Sequence, residues 1–206
     1  CTNYECYKGL YSALNSMNLF EIVHSLKRQY GPEQWTLYKG KHLLCFADNH
    51  DVTRAATILQ NPAHLPLMYG ILFGMPGIPC VYYGSEWGAK GEKSQGDDAL
   101  RPCFDAPQWG ELTDRIAAMA KARRESEALC WGDFQDLVLT NRQTVFQRRS
   151  EHERVLVAVN ADAAPYTAHF DAGCGRAVDL LTGQLHDFGG GSELPPYSVF
   201  YWKCER

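Results

Sequence analysis

The 206-residue sequence has eight cysteines but no C-x-x-C pair, and seven histidines without metal-ligand spacing. Zinc sites and thioredoxin-type redox motifs need such spacings, so neither is indicated. Cys45 and Cys80 lie inside apolar strand-like runs, where cysteine behaves as a small hydrophobe. Reduced core thiols in a cytoplasmic protein are the reading they support. No apolar run reaches the roughly 18 residues of a membrane crossing, and the first residues lack the basic, apolar, small-residue order of a secretory signal. A basic excess is also missing: the formal net charge is −4 and the pI about 6.0. With no basic stripe to release counterions from phosphates, nucleic acid is not an expected partner, and neutral or acidic solutes fit better. What is present is ordinary globular usage, 45% hydrophobic and 21% charged, which argues against disorder and suits one or two domains.

Up to about Cys130, strand-like and helix-like segments alternate. A short extended Thr2-Asn3-Tyr4 opens the chain. Asn18 and Glu21 have the spacing of a capping box for a helix running to about Tyr30, ended by Gly31. His42 to Phe46 is a continuous apolar run, the pattern of a parallel strand buried on both faces. Asn61-Pro62 reads as a cap followed by proline in the first turn of an almost wholly apolar helix, LPLMYGILFGM. GIPCVYY, Gly77 to Tyr83, is a second buried strand about 32 residues after the first, the distance of a βαβ unit. An amphipathic helix over residues 110–125 closes this region. From Gly132 the texture changes to short alternating segments, TVFQRR, RVLVAVN, YTAHFD and YSVFYWK, expected to form an antiparallel β domain. GGGSE, from Gly189 to Glu193, reads as a flexible turn.

In parallel α/β architectures, chemistry collects at the carboxyl ends of strands. Phe46 is followed by Asp48, Asn49, His50 and Asp51, with Arg54 beyond; Tyr83 is followed by Gly84, Ser85 and Glu86. Capping alone accounts for Asp48 or Asn49. It does not account for His50 beside Asp51 and near an arginine, an arrangement that holds a carboxylate ionised to face developing positive charge or sugar hydroxyls. Tyr82, Tyr83 and Trp87 offer rings that could stack on pyranose faces or simply pack the core.

FADNHD resembles the conserved segment F-x-D-N-H-D at the end of the seventh strand of the α-amylase family, glycoside hydrolase family 13. TNYECYKGLYSALN looks like the segment around the sixth strand, GIPCVYYGSEWG like the eighth, and DDALRP like the D-x-x-R-P segment of the loop that follows. The wording is most similar to the neopullulanase, maltogenic amylase and cyclomaltodextrinase branch. The resemblance implies an α/β fold: residues 1–130 as the last three βα units of a TIM (β/α)8 barrel, and residues 131–206 as a small C-terminal antiparallel β-sandwich. It implies Asp51 as the carboxylate that stabilises the transition state, and His50 as a hydrogen-bond partner of the glucose at the cleavage point. Asp98 and Arg101 would contact the next sugar, and Tyr83 belongs to the eighth-strand signature, where contact with substrate and a structural role both remain open. No cofactor and no metal are implied.

A retaining glycosidase needs two carboxyl groups about 5 to 5.5 Å apart, a nucleophile and an acid/base. In the family these end the fourth and fifth strands, upstream of Cys1. The α/β portion is also about half of the roughly 250 residues of a TIM barrel. The expectation is a C-terminal fragment of a retaining α-glucan hydrolase acting on maltooligosaccharides, cyclodextrins or pullulan, inactive alone. Its partners would be α-glucan oligosaccharides and either the missing N-terminal barrel half or a second copy. The alternative is a non-catalytic amylase-like binding or assembly subunit.

Overall fold

LPLMYGILFG, the α4 segment, is hydrophobic all round, and such a helix must be covered on every side. In the computed structural model, which describes residues 1–205, Leu67 to Gly74 are all buried. Helices α1 (Tyr4–Asn15), α2 (Phe20–Tyr30), α3 (Ala55–Ile58), α4 (Leu65–Gly74), α5 (Asp97–Leu100), α6 (Glu111–Glu125) and α7 (Glu127–Trp131) precede most of the sheet. Strands β1 (Leu44–Phe46) and β2 (Ile78–Cys80) pair in parallel, Leu44 opposite Ile78. Thr2 adds a parallel bridge on the other side of β1, at Leu44.

The C-terminal part is antiparallel. Strands β3 (Asp133–Leu139), β4 (Gln143–Arg149), β5 (Arg154–Asn160), β7 (Arg176–Asp179), β8 (Leu185–Asp187) and β10 (Ser198–Cys204) form one sheet in the order β3-β4-β5-β10-β7-β8. Strands β6 (Tyr166–Ala168) and β9 (Ser192–Leu194) pair separately. One face of the large sheet presents Phe146, Val157, Val159 and Tyr201 to the helices in a continuous core. The other face carries Val145, Leu156, Ala158 and Trp202 against Ala168 and Leu194 of the two-stranded pair.

Two glycines set how near α4 comes to the sheet. A Cβ on Gly70 would lie 2.7 Å from a Val199 methyl, and one on Gly74 would lie 2.9 Å from Val157. At this distance Tyr201 donates its hydroxyl to the Gly70 carbonyl. The last carbonyls of α4 have no partner within the helix. Arg123 of α6 donates Nη1 to Phe73 O at 2.8 Å and to Met75 O at 2.6 Å, and Nη2 to Gly77 O. Arg148 of β4 donates Nη1 to Gly74 O at 2.8 Å and Nη2 to Gly132 O at 3.0 Å. Burial lowers the pKa of both, and Arg148, further lowered by Arg123, falls to about 9. That is still above neutral pH, so the negative end of the helix dipole meets two cations shielded from water.

Several expectations are corrected. Of the extended Thr2-Asn3-Tyr4 only Thr2 keeps strand pairing, and Tyr4 already opens a helix over residues 4–15, which Asn3 caps by accepting the Cys6 N–H on Oδ1 at 3.0 Å. The Asn18–Glu21 capping box does not form. α2 opens at Phe20 without a side-chain cap, and Glu21 instead accepts from Ser16 Oγ at 2.9 Å. Gly31 does end α2, in an extended conformation. Asn61 caps through Ala63 N as expected, but Pro62–His64 is a 3-10 turn and α4 begins at Leu65. The two parallel strands are shorter than the apolar runs, since Pro79 has no N–H to donate and pairing ends at Cys80. Nor are they buried on both faces: Leu44 is 37% and Ile78 51% exposed. In GGGSE, Ser192 and Glu193 belong to β9 rather than to a turn.

Replacing Arg123 by methionine leaves three buried carbonyls unpaired and should cost about 3 kcal/mol or more in denaturant unfolding. Lys121→Met on the exposed side of the same helix should stay within about 0.5 kcal/mol. Equal effects of the two substitutions would contradict the role given to Arg123.

Candidate functional site at the ends of the parallel strands

The loop after β1 turns sharply because Asn49 Oδ1 accepts the Asp51 N–H at 2.8 Å, an Asx turn. The turn leaves His50 and Asp51 side by side and exposed, with His50 Nε2 3.2 Å from Asp51 Oδ2. Arg101, directly after α5, donates Nη2 to Asp51 Oδ1 at 3.2 Å and Nε to the His50 carbonyl at 3.3 Å. A carboxylate with a guanidinium on one oxygen and an imidazole on the other is held in one orientation. It can face developing positive charge or accept hydroxyl hydrogens.

Of the sequence-predicted residues, His50, Asp51 and Arg101 are therefore in contact. Asp98 is exposed on α5, but Asp97 is the residue whose carboxylate reaches Arg101, at 3.5 Å. Tyr83 borders the same rim. Its hydroxyl donates to Pro102 O at 2.8 Å and its ring lies edge-on to Tyr82 and Phe104. With Trp87, Arg101 and Phe104 it lines an open cleft of about 520 Å3 beside the Asp51 cluster. Phe104, which supplies a wall of this cleft, was not expected from sequence.

Arg54 is a correction. It was expected near Asp51, but it is fully buried and turned away, and the arginine at Asp51 is Arg101. Arg54 donates Nη1 to Tyr83 O at 2.7 Å and to Ser85 Oγ at 3.0 Å, and Nη2 to Leu100 O at 2.9 Å. Its guanidinium also sits 4.2 Å from the centroid of Tyr82. Ser85 Oγ lies 2.8 Å from both oxygens of Asp48, and Asp48 Oδ2 accepts the Ala55 N–H at 2.7 Å. Asp48 thus caps α3. This buried strut joins the loop after β1, the turn after β2 and the end of α5, the three segments that carry Asp51, Tyr83 and Arg101. Among the described residues no group of three or more His, Cys, Asp or Glu side chains is arranged to hold a metal ion. Among the described residues no helix is long and apolar enough to cross a membrane.

The profile described as "Alpha amylase, catalytic domain" matches residues 8–152, more than half of the chain. The chain belongs to the alpha-amylase family. A cyclomaltodextrinase from Geobacillus thermopakistaniensis is 26% identical over 200 residues, 91% of this chain and 32% of that protein. A cyclomaltodextrin glucanotransferase from Niallia circulans is 27% identical over 146 residues, 71% of this chain and 20% of that one. The chain therefore spans between a fifth and a third of the length of these curated relatives. An Anoxybacillus alpha-amylase superposes with a TM-score of 0.85 at 24% identity, covering 98% of this chain and 46% of that one. The alpha-amylase of Geobacillus thermoleovorans, solved with acarbose, gives 0.83 at 21% identity over 100% and 48%. At these identities the superpositions establish an amylase-like fold.

Burial raises the pKa of Asp48, opposed by the Ala55 N–H, Ser85 and Arg54. A carboxyl whose folded pKa is raised binds its proton more tightly in the native state, so its contribution to stability grows as pH falls through that pKa. The unfolding free energy of the wild type relative to Asp48→Asn should therefore improve between neutral pH and about pH 4. A gap that is constant or shrinks would contradict this.

Proposed function

We propose that this chain contributes part of the sugar site of a retaining α-glucan hydrolase acting on maltooligosaccharides, cyclodextrins or pullulan. The observation that carries the reading is the His50–Asp51–Arg101 cluster at the end of β1 in a member of the alpha-amylase family. Asp51 stabilises the charge that develops on the sugar ring, His50 and Arg101 hold it in place and bond sugar hydroxyls, and Asp98 and Tyr83 border the neighbouring sugar. Stabilisation of this kind acts selectively on the transition state.

The nucleophilic Asp and the acid/base Glu are proposed to come from barrel strands outside these 206 residues. On this reading residues 1–130 are the last three βα units of a TIM barrel, residues 131–206 a C-terminal β-sandwich domain, and the protein works in the cytoplasm. The parallel order of Thr2, β1 and β2 supports the barrel assignment. The exposure of the paired residues Leu44 and Ile78 supports a covering partner, either the N-terminal barrel half or a second copy. A second reading, an amylase-like binding or assembly subunit without turnover, is favoured by the exposure of the paired residues Leu44 and Ile78, which an assembly partner would cover.

Incubating the chain with maltooligosaccharides, cyclodextrins and pullulan should release no reducing sugar above a blank. Light scattering should show association; measurable hydrolysis, or a monodisperse monomer, would contradict the corresponding part of the proposal.

A further inference from the structure

At the far end of the large sheet from the helices' core, Cys204 closes β10 and Cys174 precedes β7. The register pairs Cys204 with Ala177, three residues beyond Cys174, and Glu205 N donates to Arg176 O at 3.0 Å. Both cysteines pack on the same apolar cluster around Trp202, on the face away from α4. Both side chains are half-buried at the edge of that cluster. Both also line a surface cleft of about 290 Å3 that contains Arg149, Arg154 and Lys203, balanced by Glu151, Glu153 and Glu205, with Lys203 paired to Glu153 at 2.7 Å. The remaining cysteines have no comparable thiol neighbour in an open cleft: Cys6 and Cys45 are buried in the main core, and Cys130 bonds the Arg123 carbonyl.

We propose that Cys174 and Cys204 form a dithiol site for small, anionic disulfide oxidants, with glutathione disulfide as the representative, and that it closes to an intramolecular disulfide. Both cysteines are partly exposed in the cleft, so one arm of the oxidant can reach them, and Arg149 on its rim can meet a carboxylate of that arm. Burial first, and then contact with Cys174, push the Cys204 thiol up to about 12, while Arg154 opposes the shift. Cys204 is therefore held protonated and Cys174 attacks first. The Cys174 thiolate displaces one glutathione thiolate from the oxidant and becomes a mixed disulfide. Cys174 can then no longer disfavour the Cys204 thiolate, which attacks the Cys174 sulfur and releases the second glutathione. The two protons lost by the cysteines end on the two glutathione thiols, and the oxidant takes both electrons. The new bond ties the 169–175 loop to β10.

The folded chain is incubated with glutathione disulfide, alkylated, and mapped by non-reducing peptide mass spectrometry. The expected product is a dominant peptide pair linked through Cys174 and Cys204, with the mass of two hydrogen atoms lost from the chain. Its melting temperature should rise by roughly 5 °C, reversed by dithiothreitol. The Cys204→Ser variant should stop as a glutathione adduct on Cys174. Linked peptides spread over other cysteine pairs, or no linkage between these two, would overturn the proposal, as would a C204S protein without the adduct on Cys174. The mapping of the unaltered chain does not depend on any variant folding.

Discussion

A guanidinium shut away from water and bonded to two other segments, the turn after β2 and the end of α5, is the constraint on which the site depends. Arg54 spends its donors on Tyr83 O, Ser85 Oγ and Leu100 O, and stacks on Tyr82. Stripping a buried charge of its partners is costly, and Arg54 Nε is already without one, so the loop after β1, the turn after β2 and the end of α5 cannot drift apart without orphaning the remaining donors. The Asp48 carboxylate, bonded to Ser85 and Ala55, closes the same network with the opposite charge. Above this strut the Asp51 cluster stands in water, where an ion pair alone would be worth little. Its geometry is inherited from the buried layer beneath.

The same device recurs below the strands. Arg123 and Arg148 satisfy the last carbonyls of α4 and Gly77 just before β2, while Gly70 and Gly74 let α4 lie directly on β5 and β10. The chain thus couples the antiparallel sheet to the parallel strands through one helix. A polar ring at one end of α4 and small residues along its side do what a larger apolar interface would otherwise do.

Features written in local patterns were legible from the sequence. The β1 and β2 runs, α6, the Asn61 cap and the D-N-H-D turn each depend on neighbours within a few residues. The helix over residues 4–15 also has a local signal, Asn3 as cap with Cys6, Leu10, Ala13 and Leu14 along one face. Arg54 was visible as a charge but not as a strut, because its acceptors are backbone carbonyls and a hydroxyl 29 to 46 residues away, which no spacing rule encodes. The pairing of Arg101 with Asp97 depends on the rotation of one short helical turn. The shared cleft of Cys174 and Cys204 depends on strand register across 30 positions, for which the sequence carries no mark.

The central claim is that Asp51 acts on the sugar ring within a barrel completed by further strands. The most direct measurement joins this chain to the N-terminal barrel portion of a cyclomaltodextrinase and compares kcat/KM on a cyclodextrin for the wild type and Asp51→Asn. The account predicts hydrolysis in the completed protein and a loss of about 1,000-fold or more for the variant, with melting temperature unchanged. Hydrolysis that survives the substitution would contradict it.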